Sequence, residues 1–320
     1  MNSEEKKSVL IIAGPTASGK SALAIELAKK INGEIISADS MQVYKYMNIG
    51  TAKASKKELS EIKHHLIDVL YPDEPFSVAV FKEMAENAIK DISERGKIPI
   101  IAGGTGFYIN ALLYGTDFSS AEKEADDSYR NHLLTLAEEK GKEYIHAMLF
   151  EVDPEAAEKI HFNNIKRVIR ALEFYHETGT KISEHNKNEK SRDKAYHDFM
   201  FVLHMNRDIL YDRINQRVDQ MIEEGLVKEV HGLLHMGYDR SLISMQGLGY
   251  KEIIRYIDGE CTLEEAVDTL KQSTRHFAKR QITWFKHQNE AIWLDVLKHE
   301  DINELTNEVI NIIKQDGIIK

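Results

Sequence analysis

Apolar residues first concentrate at Ser8 to Gly14 (SVLIIAG), a short β-branched run that suits a strand buried on both faces. A Gly-rich loop follows. From Ser21 the residues Ala22, Leu23, Ile25, Leu27 and Ala28 recur at helical spacing until Asn32-Gly33 stops them. The alternation then repeats. Glu34 to Ala38 predicts a second strand ending at Asp39-Ser40, His65 to Leu70 a third, and Phe76 to Glu94 an amphipathic helix. Ile98 to Ala102 predicts another buried strand, closed by Gly103-Gly104-Thr105-Gly106, with Phe107 to Tyr114 helical. Strands separated by helices imply a parallel sheet.

Near Gly115 the pattern changes. Residues 116–194 carry helical segments at 126–149, 153–160 and 163–178, then a polar, loop-like stretch from Thr180 to Lys194. Phe199 to Leu203 reads as a strand again, and residues 207–320 are mostly helical. The expected organisation is an α/β core over 1–115 and 199–320, interrupted by an all-helical insertion over 116–198.

The loop Gly14-Pro15-Thr16-Ala17-Ser18-Gly19-Lys20-Ser21 fits G-x-x-x-x-G-K-[ST] and sits between a predicted strand and a predicted helix. The fold class expected is therefore a P-loop NTPase-like parallel sheet flanked by helices. Successive backbone N–H groups and the helix N-terminus make an anion nest. Lys20 adds a point charge, and the Ser21 hydroxyl is a candidate Mg²⁺ ligand. The strand Ile98 to Gly103 carries no acid to hold that metal, and Asp39 is the nearest substitute. The loop thus predicts a bound diphosphate or longer without specifying ATP. Ligands of open parallel sheets bind at the carboxyl ends of the strands, which gathers the loop, Asp39-Ser40 and Gly104-Thr105. Asp39 reads as a general base, a metal ligand or a turn residue. Thr105 reads as a contact to a substrate oxygen or as a helix cap. Arg213 and Arg217, four apart on one helical face, suit a phosphate or glutamate partners.

Composition adds a boundary. Of 320 residues, 42% are hydrophobic and 29% charged, a globular balance that excludes a rod or a disordered chain. No apolar run approaches a bilayer span, no signal-peptide core is present, and the single Cys261 excludes a disulfide framework or a cysteine zinc cluster. A cytoplasmic protein is expected. The net charge of −10 argues on average against a polyanionic partner. Its distribution argues the other way. Thr269 to His287 holds Lys271, Arg275, Lys279, Arg280 and Lys286, no acid, and the aromatics Phe277, Trp284 and Phe285. His161 to Arg192 holds seven basic against four acidic residues, while 122–160 is strongly acidic. Basic residues mixed with aromatics suit an RNA backbone with an unstacked base, or simply a solvated helix face.

Taken together, several segments resemble the tRNA dimethylallyltransferases (tRNA isopentenyltransferases) in order and spacing. They are GPTASGKS at 14–21, ISADSMQVY at 36–44, HHLIDVL at 64–70, GGTGFY at 103–108, NNIKRVIRALE at 163–173, QGLGYKE at 246–252 and TRHFAKRQITWFK at 274–286. The resemblance implies a compact bacterial form, transferring a dimethylallyl group from dimethylallyl diphosphate to N6 of adenosine 37 beside a tRNA anticodon. It implies that Gly14 to Ser21 hold the donor diphosphate, with Mg²⁺ on Ser21; the pairing of Arg213 and Arg217 on the helix after strand 199–203 suits them to assist with pyrophosphate. It implies that Asp39 accepts the amine proton and that Thr105 and Arg130 support tRNA contact and turnover. The implied tRNA contacts are Asp39, Ser40, Met41 and Gln42; Lys166, Arg167, Val168, Ile169 and Arg170; Gln246, Gly247, Gly249, Tyr250 and Lys251; and Lys279, Arg280, Gln281, Trp284 and Lys286. The inserted helices would clasp the anticodon stem-loop, and the enzyme would act as a monomer off the membrane. Three readings share part of this pattern: a small-molecule kinase, a transferase acting on free adenine nucleotides, and a non-enzymatic RNA-binding module.

Overall fold

A computed structural model describes residues 6–115, 127–190, 192–288 and 290–317. The chain divides into two compact units, one of Met1–Leu112 with Tyr196–Lys320 and one of Leu113–Ala195.

The larger unit begins with β1 (Ser8–Ala13), α1 (Lys20–Ile31), β2 (Gly33–Ser37), α2 (Lys56–Glu61), β3 (His64–His65), α3 (Val78–Glu94), β4 (Ile98–Gly103) and α4 (Gly106–Leu113). The smaller unit holds α5 (Asp127–Lys140), α6 (Lys142–Val152), α7 (Pro154–Lys159), α8 (Ile165–Thr178) and α9 (Ile182–Lys190). The chain then returns through β5 (His197–His204), α10 (Arg207–Glu224), α11 (Leu226–His235), α12 (Tyr250–Ile257), α13 (Leu263–Phe285), β6 (Ile292–Asp295) and α14 (Ile302–Gln315).

The six strands form one parallel sheet in the order β3-β2-β4-β1-β5-β6. This matches the predicted α/β class. Val9 to Ala13 are wholly buried in the middle of the sheet, as a strand covered on both faces must be. One core packs α1 and α14 against it, through Leu23, Leu27, Leu305 and Val309. A second core seats the segment Val43 to Met47 against α11, α12 and α13.

Four local expectations are corrected. His65 to Leu70 is not a continuous strand: Leu66 and Asp68 take left-handed φ angles of 62° and 55°, pairing with β2 stops after His65, and Leu70 makes only an isolated bridge to Tyr44. The helix expected at 126–149 breaks at Gly141, φ 90°, into α5 and α6. The polar stretch 180–194 contains α9, which periodicity missed because nothing apolar marks a face. It is pinned by Asp153, which accepts hydrogen bonds from Ser183 N and Oγ at 2.9 and 2.7 Å. The edge strand β6 lay unread within the mostly helical tail. The smaller unit is all helix among its described residues, with its own core of Leu133, Ile145, Leu149, Val168 and Leu172. Its two chain ends meet where Ala195 N donates to Leu113 O at 2.7 Å.

Candidate active site at the phosphate loop

β1 delivers the chain to the loop 14–21, and α1 leaves it. Ala17 and Gly19 are left-handed, with φ 63° and 96°. A non-glycine residue in that region is strained, and the turn it makes aims successive N–H groups inward. α1 starts on Gly19 with no side-chain cap. Its first-turn N–H groups therefore remain available to an anion.

The loop lines a cavity of about 100 Å³ together with the carboxyl ends of β2 and β4. Thr16, Lys20 and Ser21 contribute from the loop, Asp39 and Gln42 from the exit of β2, Gly103 and Gly104 from β4, Arg217 from α10, and Phe277 and Gln281 from α13. Ile35, Ala54 and Ile67 add an apolar wall.

Charge is concentrated here. Burial and the neighbouring Arg217 push the Lys20 ammonium down from 10.5 to about 7, while Asp39 pulls it up. Burial also lowers Arg217, again opposed by Asp39. Two cations that each resist desolvation thus face one carboxylate. Asp39 Oδ1 accepts from Met41 N at 2.9 Å and Gln42 N at 3.4 Å, which holds the side chain in an Asx turn. Its Oδ2 has no hydrogen-bond partner among the described residues. The Ser21 hydroxyl is exposed at the same cavity. A serine hydroxyl near a carboxylate is a hard oxygen set of the kind Mg²⁺ takes, so these residues fit the ion.

A second group of ligand-type atoms lies at the opposite end of β2. Glu34, His65 and Asp91 bring their ligand atoms within 4.8 Å of one another. Arg95 holds Glu34 through both guanidinium nitrogens, and Lys97 donates to it at 2.8 Å. The chain's own cations fill the place a metal would take.

The other predicted residues fall into three groups. Arg213 is exposed and absent from the cavity lining, whereas Arg217, one turn on, enters it. Thr105 follows the lining residue Gly104, and its carbonyl accepts the Tyr108 and Ile109 N–H groups that start α4. Arg130 belongs to the smaller unit, where it grips the buried Glu173 at 2.6 Å.

Among the residues expected to touch RNA, Lys166, Arg167, Arg170, Gln246, Lys251, Lys279, Arg280 and Lys286 are exposed. Five others are not free surface. Val168 and Ile169 are buried in the helical core, at 0% and 3% exposure. Tyr250 is wholly buried, and its hydroxyl donates to Glu229 at 2.7 Å. Gly249 is buried and donates its N–H to Glu252. Gln281 is buried at the cavity itself. Each lies in a segment that also carries exposed cations, so the matched segments mix exposed and packing residues. Gln246, Ser40, Met41 and Gly247 stay at least partly open, with the Met41 side chain packed on Gly247.

Glu229 was not anticipated. It accepts N–H groups from Asn48, Ile49 and Gly50 at 2.8–3.1 Å as well as the Tyr250 hydroxyl. No motif marks it, because its three backbone partners lie about 180 residues away and Tyr250 lies 21 away.

The family model for IPP transferase matches residues 42–288. The chain is 52% identical over 312 residues to a tRNA dimethylallyltransferase of Lachnoclostridium phytofermentans, covering 98% of this chain and 99% of the relative. It is 57% identical over 288 residues to a tRNA dimethylallyltransferase of Acetivibrio thermocellus, covering 90% and 91%. Among solved structures, a eukaryotic dimethylallyltransferase acting on tRNA superposes with a TM-score of 0.79 at 33% identity, covering 95% of this chain and 78% of that one. By a match that runs from the exit of β2 to the end of α13, the chain belongs to the IPP transferase family.

Proposed function

We propose that the chain is a transferase that moves a dimethylallyl group from dimethylallyl diphosphate to N6 of adenosine 37 in the anticodon stem-loop of tRNA. One observation carries the reading: the phosphate loop and the strand-exit carboxylate Asp39 line a single cavity, with Lys20 and Arg217 opposite Asp39.

In this reading the loop N–H groups and Lys20 bind the donor diphosphate, and Arg217 faces its departing charge. Mg²⁺ held by Ser21 supplies further neutralisation of that charge when bound. The adenine N6 attacks the allylic carbon, the carbon–oxygen bond to diphosphate breaks, and the pair of electrons leaves with diphosphate. The amine proton goes to Asp39 Oδ2, the carboxylate oxygen that its turn hydrogen bonds leave open. Fixed positive charge at the leaving group is worth more in a site shielded from water than in bulk solvent. To reach Asp39 the adenine leaves its stack.

The exposed cations of α13 (Lys279, Arg280 and Lys286) and of α8 (Lys166, Arg167 and Arg170) suit the RNA backbone. The helical unit, 113–195, serves the stem-loop, with Arg130 supporting that role. Among the described residues no helix is long and apolar enough to cross a membrane, and a cytoplasmic monomer completes the reading.

Radiolabelled dimethylallyl diphosphate with Mg²⁺, offered an anticodon stem-loop and separately AMP, tests it. Label is expected in the RNA. Label in AMP alone overturns the tRNA acceptor, and ATP-dependent phosphorylation of a small molecule without allyl transfer overturns the transferase.

A further inference from the structure

The buried side chain of Gln281 spans the mouth of the phosphate loop. Its Oε1 accepts the Thr16 N–H at 2.9 Å, and its Nε2 donates to Gly104 O at 3.0 Å. The residue is 7% exposed and pairs on both sides of its amide. Space is made for it. A Cβ on Gly104 would stand 2.0 Å from Gln281 Nε2, and one on Gly106 would stand 2.1 Å from the Trp284 ring. One face of α13 is thus seated on the turn after β4 by two side chains three residues apart. Ala278 and Phe285, both fully buried, fix the helix on either side of them.

The place it fills is chemically specific. In a loop of this kind the N–H groups at the helix end, here Gly19 to Ser21, hold the inner phosphates. Thr16 lies on the first limb of the loop, two residues after Gly14, and its N–H is already taken by Gln281. β4 is the strand beside β1, where nucleotide hydrolases keep a metal-binding acid. Here that strand ends in Ala102-Gly103, and the Gln281 amide sits against the carbonyl of Gly104, the first residue beyond it.

We propose that Gln281 is a specificity-determining residue that closes the third-phosphate position, so that the loop accepts a diphosphate and rejects a triphosphate. This rests on the diphosphate-donor reading above. The mechanism is exclusion: a triphosphate must displace an amide that is hydrogen-bonded at both ends, leaving the Gly104 carbonyl buried without its donor. Its extra negative charge is no obstacle in itself, because Lys20 and Arg217 would welcome it. The selection therefore comes from occupied space and a used N–H.

The test is calorimetric titration of the full chain, with Mg²⁺, using inorganic pyrophosphate and inorganic triphosphate as probes. The wild-type chain is expected to prefer pyrophosphate by about tenfold or more, and Gln281→Ala to bring the two within about threefold, mainly by gaining triphosphate affinity. Gln281→Met, which keeps the volume and frees the Thr16 N–H, should fall between them. Equal affinities in the wild type overturn the proposal. So does an unchanged preference in a folded Gln281→Ala that still binds pyrophosphate. If Gln281→Ala does not fold, an unchanged preference in Gln281→Met overturns it. Wild-type protein that binds neither probe overturns the donor reading as well, which separates the two failures.

Discussion

Two carboxylates mark the two ends of β2 and meet opposite fates. Glu34, near the start of the strand, is 1% exposed and is held by Arg95, Lys97 and His65. The Arg95 guanidinium, more than any other partner, holds its carboxyl well below the usual carboxylate range, against the cost of burial. Asp39, two residues past the end of the strand, has backbone N–H groups on one oxygen and no partner on the other among the described residues. The cations near it, Lys20 and Arg217, are lowered by burial and have no carboxylate ion-pair partner among the described residues, Lys20 donating instead to Pro15 O at 2.6 Å. A charge whose partners are all supplied by the chain stabilises the fold. A charge set with no ion-pair partner among the described residues is free to meet a charged ligand. Both ends look alike in sequence, as an acid beside apolar strand residues.

The contrast is open to attack in three places. The largest effect is expected at Asp39. Asp39→Asn keeps the turn acceptor and removes the base, so single-turnover transfer should fall by about 10²–10⁴-fold, far more than donor affinity by calorimetry. Near-normal turnover would take the proton-accepting role away from Asp39.

Glu34 should behave in the opposite way. Glu34→Ala strands Arg95 and Lys97 and is expected to cost about 3 kcal/mol in urea unfolding, with the transfer rate per folded molecule unaltered. The sign of its pH dependence follows from the lowered folded value. Its stabilisation is present above the ordinary 4.5 and is lost as pH falls through the folded value. A stability that ignored acid in the wild type, or an unchanged unfolding midpoint in the variant, would place Glu34 outside the fold's supports.

The smallest effect concerns Lys20. Burial and Arg217 lower its ammonium from the ordinary 10.5 to about 7, so the unfolded chain holds more protons between these values and folding gains as pH rises through them. Diphosphate favours the charged form. Binding should therefore take up a proton above pH 7, and affinity should fall with rising pH by at most about tenfold per unit. Titrations in buffers of different ionisation enthalpy measure that proton. Lys20→Arg should abolish the uptake, because a guanidinium stays charged. Uptake that persists in that variant would assign the proton to another group.

Much of the site was legible because its grammar is local. The turn 14–21, the strand before it and the helix after it are neighbours in sequence, and a backbone nest needs only those residues. Asp39 was legible as the residue where an apolar run stops. What was misread shares one cause. Arg213 and Arg217 look equivalent at helical spacing, yet only Arg217 reaches the cavity. Val168, Ile169 and Tyr250 lie inside matched segments, yet they are core. The side of a helix that faces inward is set by what packs on it, and spacing alone leaves that open.

By itself the sequence determined the alternation of β1, α1, β2, α3, β4 and α4, the anion-binding loop and the acid at the exit of β2. These follow from backbone hydrogen bonding and from apolar periodicity, which act over a few residues. Only the tertiary structure decided that Gln281 reaches Gly104 across 177 positions, that Arg217 turns toward Lys20, and that Glu34 is a support while Asp39 is not. Those outcomes depend on burial and on partners brought from elsewhere in the chain, and a charge takes its meaning from the partners it meets.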